Sequence, residues 1–301
     1  MLAKNQGVVL STLSIYNAHR MSDQALHVSI SAEPIFRVFG LEISNSIFTS
    51  LIVSFLLITF AIFFKKYKFK ETDKPSSLQN VVEMIVEALY NFVYSITENT
   101  KKTVLFFPII ATFFLFIILN NYVGLLPGVG SILIHEANIT SMVPAQVVAS
   151  EETGTAEVPL HIKMVPLFRA ATADLNTTLA LAIISVTLTQ IFGISHLGLS
   201  YFKKFLDFSS PINFIVGILE TVLEFAKIVS FAFRLFGNIF AGEVLLVVMI
   251  YLISVVVPAP FYALELFVGF IQALVFSMLS LIFFNLATKG HHEESHEVAT
   301  N

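Results

Sequence analysis

Five long apolar runs are the feature that most restricts what this chain can fold into. A helix needs about 20 apolar residues to cross the hydrocarbon core of a bilayer. Only 13% of the 301 residues are charged, whereas a soluble domain carries about 25%. The sequence therefore predicts an all-α integral membrane protein with about five membrane segments, of which the last two are long and strongly tilted. The segments are expected at residues 43–64, 104–126, 172–202, 211–257 and 261–287.

The composition excludes several classes of function. The formal net charge of −4 leaves no basic surface for nucleic acid. The absence of cysteine excludes disulfides and thiolate metal sites. The chain has no GxxxxGK[ST] pattern to cradle phosphates, so we expect no nucleotide site and no cofactor. The tail HHEESHE at 291–297 could bind a metal ion, but a solvated polar tail is favoured and no metal site is expected.

The short loops predict an orientation. Lysines are concentrated between the first and second segments, between the third and fourth, and after the fifth, whereas the 135–169 loop is rich in glutamate. By the positive-inside rule, the N-terminus faces out and the C-terminus lies in the cytoplasm. Residues 1–42 then form an N-terminal tail with an interfacial piece, 43–287 the membrane domain, and 288–301 a polar C-terminal tail.

An amphipathic helix is predicted at residues 76–98. Val82 and Val86 belong to a row of apolar residues at helical spacing, and Glu83 and Glu87 occupy another face. Such a helix is typical of the inner membrane surface. The alternative is a soluble linker helix.

The fourth segment, 211–257, is too long for an upright helix. Its 47 residues would extend roughly 70 Å at ~1.5 Å per residue, against a hydrocarbon core of about 30 Å. No proline interrupts the segment, which favours a long tilted helix over a broken one.

Arg234 lies in the middle of this segment, within SFAFRLFGNIFAGEVLL. A buried arginine at mid-membrane costs about 2.5–3.5 kcal/mol on insertion scales and therefore marks a functional site. Ser230 and Asn238 share its helical stripe, whereas Glu243 lies about 180° around the helix. An ion pair between Arg234 and Glu243 along one face is therefore disfavoured.

These charges also have structural explanations. Arg234 could pair with Asp174 or Glu265 inside its own bundle. In the last segment, Glu265 and Gln272 share a face and could join helices as a buried polar pair. A buried carboxylate can instead take up and release a proton near neutral pH. Three further charges could be ordinary residues of the membrane edge: Glu220, Glu224 and Lys227.

The sequence resembles the a subunit of the F-type rotary ATP synthase over most of its length. The most specific match is FRLFGNIFAGE at 233–243. The supporting stretches are LFFPIIATFFLFIILNNYVGLLPG at 105–128, TADLNTTLALA at 172–182, EPIFRVFGLEISNS at 33–46 and FIQALVF at 270–276.

This resemblance implies an ion-translocating stator subunit that couples proton flow to rotation of a c-subunit ring and to ATP synthesis. The implied partners are the c ring, the b subunits of the peripheral stalk, the remaining synthase subunits and membrane lipid. The resemblance also implies two half-channels and an essential arginine, Arg234, which faces the ring carboxylate. We expect the membrane to be the bacterial inner membrane.

The resemblance carries over residue by residue. It assigns Glu243 and Glu265 to the outer half-channel, Gln272 to the position facing the arginine, and Asn238 to the channel lining. The family often has histidine at one of the two acidic positions, whereas both are glutamate here. Lower-ranked pathway positions are Asp174 and Asn176 on the outer side and Ser230, Lys227 and Glu220 on the inner side.

Two rival functions remain open. A self-sufficient solute–proton symporter would be expected to contain interrupted helices in paired halves, which the sequence lacks. A purely structural membrane scaffold would tolerate loss of Arg234. The sequence does not distinguish H⁺ from Na⁺ as the coupling ion, and H⁺ is the default.

Overall fold

The computed structural model describes residues 32–38, 41–66, 77–126, 129, 132–135, 164–205, 210–252 and 258–289. Four predictions fall wholly or largely outside this part of the chain. They concern the tail and interfacial piece before residue 32, the lysines at 68–74, the acidic loop at 136–163 and the His/Glu tail at 291–297.

The described part of the chain contains six helices of more than 20 residues, and five of them are long and apolar enough to cross a membrane. The exception is the second helix, α2. This arrangement confirms the predicted all-α membrane fold. The helices are α1 (Asn45–Lys66), α2 (Ser77–Thr97), α3 (Thr100–Leu125), α4 (Leu175–Leu197), α5 (Pro211–Leu252) and α6 (Pro258–Ala287).

The core lies where α3, α4, α5 and α6 meet. Phenylalanines fill much of it, consistent with 31 Phe and no Trp in the chain. The ring of Phe106 on α3 lies 5.0 Å from Phe192 and 5.7 Å from Phe284, and Phe113 lies 5.5 Å from Phe276. These edge-on and tilted contacts are the arrangements that aromatic quadrupoles favour. They fix α3 and α4 against the last helix and leave α5 packed on one side only.

Helix α5 is continuous over 42 residues. Its length of about 63 Å is twice the thickness of a hydrocarbon core. The predicted long unbroken helix is therefore present from Pro211 to Leu252, and residues 253–257 lie outside the described part. Helix α6 begins at Pro258 rather than at 261, because proline is tolerated in the first turn of a helix.

Helix α4 is shorter than the predicted 172–202 segment at both ends. Asp174 caps its N-terminus, and a 3₁₀ turn precedes it at Ala171–Ala173. At the other end Gly198, with φ of +60°, ends the helix and begins a 3₁₀ helix, Gly198–Lys204. A positive φ is readily adopted by glycine, so the apolar run continues beyond the α-helix.

Two short antiparallel strand pairs were not predicted. Strand β1 (Pro34–Val38) pairs with β2 (Leu41–Ser44), and β3 (Leu133–His135) pairs with β4 (Met164–Pro166). Asn45, at the start of α1, joins them: its backbone N–H donates to the Glu33 carbonyl at 3.0 Å and its amide to the Pro166 carbonyl at 3.3 Å. The two strand pairs thus bring the segments around Glu33 and Arg169 to the same end of the bundle.

Helix α2 packs against α3 and α6 through a narrow buried row that includes Val93 and Thr97. Met84, Ile85 and Val86 are exposed. The structure thus shows a helix with one packed and one apolar unpacked surface. Its placement at the membrane surface stays a prediction.

Candidate functional site

Arg234 projects from a side of α5 that the described chain leaves open. Its Nη2 donates to the Ser230 hydroxyl at 3.2 Å, and the Asn238 amide donates to the Arg234 carbonyl at 2.9 Å. Ser230 and Asn238 are exposed. Because each lies four residues from Arg234, the helix places the three residues on one stripe.

Exposed apolar residues flank this stripe, which continues to Lys227 seven residues before Arg234. No side chain approaches the position that a Cβ would take at Gly237. The charged arginine therefore lies within an exposed apolar surface, which we call the open face. Its other exposed members are Val216, Leu219, Leu223, Gly237 and Ala241.

Arg234 has no ion pair with any residue that the structure describes. Its carbon Cζ lies 6.0 Å from the centre of the Phe231 ring. Arg234 and Gln272 of α6 both border a small gap of about 10 Å³, which Phe231 and Phe276 also line. The structure thus brings Gln272 and Arg234 together. It does not bring Arg234 to Asp174 or Glu265, the alternative partners.

The opposite side of α5 borders a cavity of about 340 Å³. We call it the outer cavity, after the outer half-channel to which the sequence resemblance assigns Glu243 and Glu265. Polar side chains from four segments reach it. Because a water molecule occupies about 30 Å³ in the liquid, the cavity has room for several waters beside acidic groups. Its polar lining is Asn121, Arg169, Glu243, Tyr262 and Glu265.

Glu243 is bound by an arginine that the sequence did not single out. Nη2 and Nε of Arg169 lie 3.1 and 3.2 Å from the same oxygen of Glu243, Oε2. The Arg169 side chain is 6% exposed and that of Glu243 33% exposed. Arg169 precedes α4 and lies outside every stretch that carries the sequence resemblance, so only the tertiary fold reveals this partner.

Glu265 lies in the same cavity wall but in different surroundings. It is 6% exposed, and no cation among the described residues lies within ion-pair distance. Its carboxylate packs directly against Gly242, where any Cβ would collide with it. Gly242 therefore makes the room that this acid occupies.

Asp174 and Asn176 do not border the outer cavity. Asp174 is buried as the N-cap of α4, where it accepts from the Asn176 backbone N–H at 3.0 Å and from the Ser46 hydroxyl at 2.6 Å. The Asn176 side chain is exposed. Asp174 thus joins α4 to the start of α1, a local role that sequence reasoning missed although an acid before a helix is a common cap.

At the other end of α5, the charges form a paired network. Lys204 Nζ lies 3.1 Å from Glu220 and 3.6 Å from Glu224, and Lys227 Nζ lies 2.8 Å from Glu224. Lys227 also lies 4.5 Å from the centre of the Phe283 ring. The structure therefore groups Glu220 and Lys227 around Glu224 and away from Arg234.

Tyr201 and Gln190 extend this network. The Tyr201 hydroxyl donates to Gln190 at 2.8 Å, and the Gln190 amide donates to Glu224 at 3.0 Å. Burial and the nearby carboxylates of Glu224 and Glu220 raise the pKa of Tyr201 to about 12. Tyr201 therefore stays a hydrogen-bond donor throughout the physiological range. Its ring packs against Gly193, where a Cβ would collide with it.

A family model and two related proteins match this chain, and their descriptions agree. The family described as "ATP synthase A chain" matches residues 47–285. "ATP synthase subunit a" of Geotalea daltonii is 31% identical over 252 residues, which are 83% of this chain and 87% of the relative. "ATP synthase subunit a" of Syntrophobacter fumaroxidans is 30% identical over 219 residues, or 72% and 74% of the two chains.

Proposed function

Since this chain belongs to the ATP synthase A chain family, we propose that Arg234 is the fixed charge at which it couples ion flow to rotation. The chain is the proton-translocating stator subunit of an F-type ATP synthase. The observation that supports the role of Arg234 is its position: a guanidinium on the exposed apolar open face, without an ion-pair partner in the described chain.

The missing partner is a carboxylate of the adjacent c-subunit ring. A permanent cation stabilises that carboxylate in its deprotonated form, which otherwise cannot remain ionised in lipid. Arginine suits this role because it stays charged after desolvation, whereas a lysine can lose its proton. The same charge repels protons that would cross directly from one side of the membrane to the other, so that transport requires rotation.

The proton path has two parts. Glu243 and Glu265 are the acids of the outer cavity, through which protons move toward the ring, and Gln272 and Asn238 line the passage beside Arg234. Asp174 and Asn176 shape the outer end by anchoring α4. On the inner side, the path passes Ser230, Lys227 and Glu220. The membrane potential contributes about 2.3 kcal/mol per charge per 100 mV.

The surroundings of the subunit follow from this role. The open face contacts the c ring, and the remaining surface contacts lipid, the b subunits and the other synthase subunits. The complex lies in the bacterial inner membrane, with the N-terminus of this chain outside and the C-terminus in the cytoplasm. The ATP-synthesising sites belong to other subunits.

Arg234→Ala tests the proposal in the assembled complex. We expect ATP-driven proton pumping and proton-driven ATP synthesis to be abolished in membrane vesicles while the complex still assembles. Arg37→Ala is the matched control, because Arg37 is an exposed arginine paired with Glu42 at 2.7 Å in the β1–β2 hairpin. Normal coupling in Arg234→Ala would favour the scaffold alternative, and solute transport by the chain alone would favour a symporter.

A further inference from the structure

Resting on the proposed function, we propose that Arg169 is a positioning residue that gives the two acids of the outer cavity different roles. It holds Glu243 as a charged group in the wall of the cavity. Glu265 is then the acid that takes up the proton from the outer side and passes it toward the ring.

The first support is the geometry at Glu243. Two nitrogens of Arg169 bind one oxygen, Oε2, and charge-assisted bonds of this kind are stronger than neutral ones. Arg169 is itself fixed in place: its backbone N–H donates to the Thr49 hydroxyl at 3.3 Å, and its guanidinium lies 5.9 Å from the centre of the Phe240 ring. A buried guanidinium held in this way keeps its carboxylate partner in one position and favours its charged form.

The second support is the contrast at Glu265. Its carboxylate is almost fully buried against the backbone of Gly242, and no described cation pairs with it. Hydrogen bonds and opposite charge favour the ionised form of an acid, whereas apolar burial favours the neutral form. Two acids in such different environments take different roles. The acid that can change its charge state is therefore Glu265.

The other ionisable groups around the cavity are compatible with this division. Glu33 is buried at the same end of the bundle, and a second carboxylate there increases the need for the Arg169 charge. Tyr262 lines the cavity on α6, the helix of Glu265. In the transfer itself, one O–H bond breaks in a hydronium ion that enters from the outer side, which leaves a water molecule, and one O–H bond forms at Glu265. The proton then moves to the ring carboxylate, and Glu265 returns to its anionic form.

A double-mutant cycle tests the inference in the assembled complex. ATP-driven proton pumping in inverted vesicles is measured for Arg169→Gln, Glu243→Gln and the double variant. We expect Arg169→Gln to lower the rate about tenfold or more, because displacing groups that surround a reacting site has effects of this size. If Arg169 acts through Glu243, the double variant pumps like Glu243→Gln alone. The inference would be overturned if the double variant lost pumping by the product of the two single losses, which we call multiplying losses. Normal pumping in Glu243→Gln would also overturn it.

Arg169→Lys separates charge from packing. It keeps the cation and should retain most of the pumping that Arg169→Gln loses, and equal losses would contradict a charge-based role. If Arg169→Gln fails to assemble, the cycle is run with Arg169→Lys, whose smaller loss must vanish in the Glu243→Gln background. Arg37→Gln is the matched control.

Arg234→Ala is measured in parallel to separate the two proposals. Normal pumping in Arg234→Ala contradicts the proposed function itself. An inactive Arg234→Ala combined with multiplying losses in the Arg169 cycle contradicts only the role of Arg169.

Discussion

Arg234 and Arg169 flank α5 and have opposite surroundings. Arg169 is buried and binds the Glu243 carboxylate at 3.1 Å, so its charge is balanced within the chain. Arg234 lies on the open face, where its described side-chain hydrogen bond is to a neutral hydroxyl. A buried charge without compensation is costly. The difference indicates that one arginine serves the internal architecture of this subunit, whereas the other requires a partner from outside it.

The sharpest test of this difference is conservative substitution at both positions. We expect Arg234→Lys to lower ATP-driven proton pumping by at least about tenfold, the effect of about 1.4 kcal/mol on a barrier. A lysine in a desolvated site can lose its proton and cannot form the same paired hydrogen bonds. Arg169→Lys should lose far less. Equal tolerance at the two positions, measured in vesicles with matched amounts of complex, would remove the distinction.

Stability should show the reverse order. Arg169→Gln leaves Glu243 without its cation and should destabilise the subunit by about 3 kcal/mol, the lower end for breaking a buried pair, because Glu243 is 33% exposed. Arg234→Gln should leave stability nearly unchanged, since it removes few internal contacts. Thermal unfolding of the purified complex in detergent measures both. A lower melting temperature in Arg234→Gln than in Arg169→Gln would contradict the comparison.

Two glycines extend the comparison to the two sides of α5. Gly242→Ala would drive a methyl group into the Glu265 carboxylate and should cost about 2 kcal/mol, as overpacking does. Gly237→Ala meets no atom of the described chain and should stabilise the helix by up to about 1 kcal/mol. Thermal unfolding of the detergent-solubilised subunit reads out both. Destabilisation by Gly237→Ala in the isolated subunit would show that the open face is covered from within.

The smallest expected effect is at Tyr201. Tyr201→Phe removes the hydrogen bond to Gln190 and should cost about 1 kcal/mol near neutral pH. The pKa of Tyr201 is raised from 10.0 to about 12 in the folded chain. Its stabilising contribution is therefore complete below pH 10 and is lost as the pH rises through 12. The free energy of unfolding of the unsubstituted protein should fall between pH 10 and pH 12, and this fall should be smaller in Tyr201→Phe. An unchanged fall would exclude Tyr201 as its cause.

The sequence was sufficient for features that depend on local periodicity. Helical phase alone predicted that Ser230 and Asn238 flank Arg234 and that Glu243 points away from them. Hydropathy alone predicted five membrane helices, because each span must satisfy its own backbone hydrogen bonds.

The sequence was insufficient where distant segments meet. Arg169 and Glu243 are separated by 74 residues, and no local pattern specifies their pairing. The fit of Glu265 against Gly242 also requires the tertiary packing of α5 on α6. The β1–β2 hairpin was missed because its strands contain only five and four residues. Too few residues were present to establish an alternating pattern.

The length of α5 determines how Arg234 and Glu243 are offset from each other relative to the membrane. A rod of about 63 Å that lay wholly within a slab of about 30 Å would lean about 60° from the normal. Arg234 and Glu243 are then about 13 Å apart along the axis but only about 6 Å apart in depth. Most of their separation lies parallel to the bilayer plane. A charge that moves between the positions of Arg234 and Glu243 is therefore displaced mainly parallel to the membrane. Such a displacement exerts torque about an axis perpendicular to the membrane.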